Sequence, residues 1–143
     1  MLIGLDPLLG PDLLQALRAM GHGDTIVLAD ANFPARSVAR RLIPAAGCDM
    51  VGLLRAVLSV LPIDQSEPEP AVGMEVVGDP PRREPIHLDM DQLLSRHAKP
   101  RAELILIERH AFYDRARAAF AVISSGERRF YGNIILRKGT IAP

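Results

Sequence analysis

Leu13, Leu14, Leu17 and Met20 fall at i, i+1, i+4 and i+7, the spacing of one helix face. They predict a helix over residues 11–20. Pro11 suits its first turn, where the missing N–H costs nothing, and Gly21 is placed to end it in a left-handed conformation. The next segment has a different period. Thr25-Ile26-Val27-Leu28-Ala29 is an apolar, β-branched run without polar alternation, as expected for a strand buried on both faces. Asp30 ends it, and Ala31-Asn32-Phe33-Pro34 breaks regular structure. Leu42-Ile43-Pro44 is too short to assign. Residues 49–61 form a second helical stretch, with Asp49 as candidate N-cap and Pro62 as its stop. Strands are expected at 72–77, 103–109, 121–126 and 133–137, and helices at 88–97 and 111–119. The prolines in 66–70 and 78–85 make those segments loops.

Helices alternate with continuous apolar strands and no internal repeat interrupts them. This order predicts an α/β fold, a mostly parallel sheet with helices on both faces, in a single domain over 1–143. Ligands of such sheets bind beyond the carboxyl ends of strands. Asp30 and Arg109 each stand at such an end.

Composition then removes several function classes. The 143 residues carry 17 basic and 17 acidic side chains, so the formal net charge is zero. A nucleic-acid-binding domain is normally clearly basic, so nucleic acid is not an expected partner. Low net charge favours association of a small protein with itself. The single cysteine, Cys48, permits no internal disulfide and reads as a small buried hydrophobe. No apolar run approaches the length of a membrane span, and no basic stretch precedes an apolar one at the N-terminus. The expected setting is the cytoplasm, with no membrane partner. Gly21-His22-Gly23 is not a phosphate-cradling GxGxxG, and no GxSxG nucleophile elbow exists. His87, His97 and His110 share no ligand spacing, so no metal site is expected.

Four features remain as candidate chemistry. His22, between two glycines, can exchange a proton near neutral pH, or it is a solvated turn residue beside a helix cap. Asp30 either meets a ligand or makes an Asx turn. Arg109 either binds a ligand or forms a surface ion pair with Glu108 or Asp114. Tyr131-Gly132-Asn133 combines a phenol, a flexible glycine and an amide, suited to recognising hydroxyl groups or simply to a turn. His22 precedes Asp30 by eight positions, across one predicted strand. The two come together only if the sheet closes around them or a neighbouring subunit supplies one.

Taken jointly, these segments resemble a known family. Met20-Gly21-His22-Gly23-Asp24 and Asp30-Ala31-Asn32-Phe33-Pro34-Ala35 are similar to the sugar mutarotase family that includes L-fucose mutarotase and D-ribose pyranase. Arg109-His110-Ala111-Phe112-Tyr113-Asp114-Arg115-Ala116, Ser125-Gly126-Glu127 and Tyr131-Gly132-Asn133-Ile134-Ile135-Leu136 resemble its C-terminal half, in the same order. Asn32-Phe33-Pro34, Arg109 and Tyr131-Gly132-Asn133 look fucose-type. Residues 62–101 carry no matching motif. The resemblance implies interconversion of α and β anomers of a free monosaccharide, L-fucose or a relative such as D-ribose, with neither cofactor nor metal. It implies His22 as general acid/base and Tyr131 as the opposed proton donor. Asp30, Arg109, Tyr131, Gly132 and Asn133 would bind the sugar. It further implies a homo-oligomer, a decameric ring with sites completed across subunit contacts. A non-catalytic monosaccharide-binding or regulatory protein on the same fold is the alternative.

Overall fold

The computed structural model describes residues 1–143. The elements are α1 (Pro11–Ala19), β1 (Thr25–Ala29), α2 (Ala35–Val38), β2 (Leu42–Ala45), α3 (Met50–Leu58) and β3 (Ala71–Met74), followed by α4 (Pro85–His97), β4 (Ile105–Ile107), α5 (Arg109–Ala118), β5 (Ala121–Ser125) and β6 (Ile134–Arg137). They build one six-stranded sheet in the order β2-β5-β1-β6-β3-β4. β2, β5 and β1 are mutually parallel, as are β3 and β4. β6 runs antiparallel between β1 and β3, with Leu28 opposite Ile134 and Gly73 opposite the same residue. The expected mostly parallel sheet is present, with one reversed strand. That reversal brings the start of β6 to the edge where the other five strands end.

The continuous apolar runs follow from burial on two sides. Ile26 and Leu28 face a core closed by α1, α3 and α4, while Val27 and Ala29 face one closed by α2 and α5. Phe112 of α5 is fully buried in the second core. Burying a side chain of that kind stabilises by about 1.5–3 kcal/mol. Asp49 caps α3 as expected, accepting the Gly52 N–H at 2.7 Å, an interaction worth about 1 kcal/mol. No helix is long and apolar enough to cross a membrane.

Several boundaries differ from expectation. α4 begins at Pro85 rather than at 88, because proline at the first helical position starts a helix as readily as it breaks one. β2 is an edge strand, where the missing N–H of Pro44 is tolerated. The break at 31–34 is present, and the short α2, where no helix was expected, follows it. β4 is shorter than 103–109 because Glu108 turns out to cap α5, accepting from the amides of His110 and Ala111 at 2.7 and 3.1 Å. Gly21 is not the left-handed residue; Gly23 is, at φ 85°. The end of α1 needs no glycine cap. The Lys138 ammonium donates to the carbonyls of Leu17 and Met20 at 2.8 and 2.6 Å, satisfying groups a helix end leaves open.

Candidate functional site

Asp30 follows directly on β1, and Asn133 directly precedes β6. Because these strands are antiparallel neighbours, the two residues meet. The Asp30 N–H donates to Asn133 Oδ1 at 2.9 Å, and Asn133 Nδ2 donates to Asp30 Oδ2 at 2.8 Å. The Asn32 N–H donates to Asp30 Oδ1 at 2.8 Å, so the expected Asx turn is present as well. Both side chains are buried. Burial raises the pKa of Asp30, against the opposing hydrogen bonds from Asn32, Asn133 and Phe33.

Tyr131 stands at φ 63°, the one non-glycine residue in the left-handed region. Its hydroxyl accepts the Val77 N–H at 3.2 Å, which leaves its own proton free to donate. Arg109, the first residue of α5, is exposed and makes no ion pair within 4.0 Å, so the expected alternative pairing with Glu108 or Asp114 is absent. Asp30, Arg109, Tyr131 and Asn133 line one open pocket of about 380 Å³. Gly132 lies buried behind them. A Cβ there would fall 2.8 Å from Glu127 Cγ and 3.2 Å from the Arg129 carbonyl, so only glycine lets the loop settle. Five of the six expected site residues are thus together.

His22 is elsewhere. It precedes β1, so it lies at the opposite edge of the sheet. The five residues of β1 alone separate the two ends by about 13 Å at 3.3 Å per step. Proton transfer needs hydrogen-bond reach, so His22 cannot serve this pocket from within the same chain. His22 is 53% exposed, with Nε2 3.3 Å from Asp64 Oδ1. Asp64 is only 5% exposed and is tied down by Ser66 and by Arg137 Nε at 3.0 Å. The Ser66 N–H, then the Ser66 hydroxyl, His22 and Arg137, hold the Asp64 carboxyl far below the usual carboxylate range despite burial.

Sequence reasoning missed Asp64, which falls in the stretch without motifs. It also missed the apolar pocket walls, Phe33, Met74, Val77, Tyr113 and Phe130. An aromatic or aliphatic side chain in a wall leaves no sequence signal that separates it from core. Phe130 and Val77 are 72% and 56% exposed at the pocket mouth.

Glu127, buried behind the pocket, is pulled down to about 2, chiefly by the Arg129 side chain. Its folded-state pKa lies below the ordinary value. The stability it contributes is therefore complete above the ordinary carboxylate range and is lost as pH falls toward 2. Asp64 acts in the same direction, whereas the raised pKa of Asp30 acts in the opposite one. We expect Tm to fall by at least about 5 °C between pH 5 and pH 3. Glu127→Gln should flatten that slope in thermal melts, and an unaltered slope would exclude this residue as its source.

The fold and the pocket define a class: an α/β protein with a small, open, amphipathic ligand pocket at the carboxyl edge of its sheet and an exposed histidine at the other edge. The chain belongs to the RbsD / FucU transport protein family, whose description matches residues 3–141. It is 47% identical over 145 residues to a protein named fucose mutarotase from Homo sapiens, covering 97% of this chain and 94% of that one. It is 45% identical over 144 residues to fucose mutarotase from Mus musculus, covering 96% and 94%. The crystal structure of the fucose mutarotase from Streptococcus pneumoniae in complex with L-fucose superposes with a TM-score of 0.91 at 37% identity, covering 99% of this chain and 100% of that one.

Proposed function

We propose that this chain is a sugar mutarotase, an isomerase of one domain over residues 1–143 that interconverts the α and β anomers of a free monosaccharide, L-fucose or a close relative such as D-ribose. The observation that carries this reading is the Asp30–Asn133 pair beside Tyr131 and Arg109 in one pocket, in a chain so similar to fucose mutarotases. The pocket offers acceptors on Asp30, donors on Asn133, Arg109 and Tyr131, and apolar walls. Those are the groups that the hydroxyls and C–H faces of an uncharged sugar require.

The reaction is acid–base chemistry. The anomeric hydroxyl loses a proton, the ring oxygen gains one, and the bond between C1 and the ring oxygen breaks. The open aldehyde turns about C1–C2, and the freed hydroxyl adds to its other face. Tyr131 has a proton to donate, because its oxygen already accepts from Val77. Asp64 fixes the proton on His22 Nε2, which leaves Nδ1 to exchange one with the sugar. The chemistry calls for neither cofactor nor metal. His22 reaches the pocket from a neighbouring copy in a cytoplasmic homo-oligomer, a closed decameric ring.

Saturation-transfer NMR between anomer resonances tests this directly. Catalytic amounts of the protein should accelerate exchange of L-fucose, and to a smaller extent D-ribose or D-galactose. Exchange at the buffer rate for all three would end the mutarotase reading. Line broadening of L-fucose without faster exchange would mean a sugar-binding protein instead.

A further inference from the structure

Tyr131 carries the only non-glycine backbone in the left-handed region, and such a conformation persists only where the surroundings hold it. Three layers of contact do so here. The first is Gly132, whose backbone rests on the Glu127 side chain with no room for a Cβ between them. The second is Glu127 itself, 4% exposed. It accepts the Arg129 N–H and Arg129 Nε on Oε1 at 2.9 and 3.0 Å, and Arg129 Nη2 on Oε2 at 2.9 Å. The third crosses to another element, since Arg129 Nη1 donates to Asp89 Oδ2 of α4 at 2.7 Å.

One planar guanidinium therefore grips a buried carboxylate with two nitrogens and an α4 carboxylate with the third. A point-charge ammonium could not hold that fork. The Asp89 contact alone is solvent-exposed and would contribute little. Its effect lies in what it joins, because α4 also places His87 against the back of Tyr131, ring centroids 6.0 Å apart. His87 is fully buried, with Nδ1 accepting the Glu84 N–H at 3.1 Å and Nε2 unpartnered. Glu127 also reaches the far side of the pocket, where its carbonyl accepts the Ala31 N–H at 2.8 Å beside Asp30.

We propose that Arg129 is a positioning residue for the sugar site, acting through Glu127 and Gly132 to fix Tyr131. It touches no substrate. This rests on the mutarotase reading for its kinetic consequence but not for its structural one. A phenol displaced by an ångström still binds sugar but transfers its proton poorly. Arg129→Ala should lower kcat for anomer exchange by roughly tenfold to a hundredfold with KM changed less than threefold, a size set by what such displacement costs. Arg129→Lys should fall between the two.

The test is a double-mutant cycle with tyrosine spectra. The chain has two tyrosines, Tyr113 and Tyr131, so ring-labelled protein gives two assignable sets of NMR signals. Arg129→Ala should shift or broaden the Tyr131 set and leave Tyr113 in place. In the Tyr131→Phe background, Arg129→Ala should cost less than about twofold in rate, because the group it positions is already gone. Equal rate losses in both backgrounds, or unmoved Tyr131 signals, would overturn the proposal. Should Arg129→Ala not fold, Arg129→Lys carries both measurements. A wild type inactive on every sugar would end the mutarotase reading, while the Tyr131 spectra would still decide this one.

Discussion

His22→Ala is expected to remove nearly all of the accelerated anomer exchange, a loss of about 10²–10⁴-fold in kcat, the range a positioned acid–base group supplies. The structure explains why the loss should be chemical. His22 is half exposed and touches one partner, the Asp64 carboxylate. Asp64 keeps its bonds to Ser66 and to Arg137 when the imidazole is gone. The turn itself is held by backbone and by Asp24, which accepts the Gly21 N–H at 2.7 Å, and by Gly23, which donates to the Lys138 carbonyl at 2.9 Å. The variant should therefore melt within a few degrees of wild type and still bind L-fucose, since the groups proposed to bind its hydroxyls lie at the other sheet edge. Retention of more than about a tenth of the wild-type rate would remove His22 from proton transfer.

Much of this arrangement is legible in the chain before any coordinates. The segments 25–29, 121–126 and 133–137 read as strands because short apolar runs lie at the heart of each, and β1, β5 and β6 form there. The Asp30 and Arg109 positions follow from the rule that ligands meet strand ends. Other parts depend on partners far away in sequence. That α1 ends on Lys138 is a contact across 118 residues, and no local pattern at Gly21 reveals it. Leu42-Ile43-Pro44 stays unassigned and Pro85 reads as a breaker because local chemistry does not distinguish an edge strand or a first helical position from a loop. The reversal of β6 has the largest effect on the site. Nothing in Ile134-Ile135-Leu136 gives its direction, yet it alone brings Asn133 to Asp30. The separation of His22 from Asp30 was visible as a count of residues. The structure turns that count into opposite edges of one sheet.

Opposite edges make a strong demand on assembly. If the pocket edge of one subunit receives the His22 edge of the next, the contact is heterologous, and heterologous contacts close into rings or run on as filaments. The exposed Phe130 and Val77 at the pocket mouth would be covered by such a contact. A subunit with no net charge meets its own copy without repulsion. The consequence is measurable by mixing. His22→Ala and Tyr131→Phe should each be nearly inactive alone, one lacking the histidine edge and the other the pocket phenol. Dissociated, combined in equal amounts and reassembled, they should regain about a quarter of wild-type activity, because random neighbours pair two intact edges at that frequency. A site contained in one chain would regain none. Wild type mixed with the double variant gives the reciprocal check, since intact sites fall to about a quarter when shared between subunits but stay at about half when each chain carries its own. Recovery in the first mixture together with a quarter in the second would place His22 and Tyr131 on different subunits of one working site. No recovery in the first mixture together with a half in the second would place His22 and Tyr131 in the same chain and overturn the shared site.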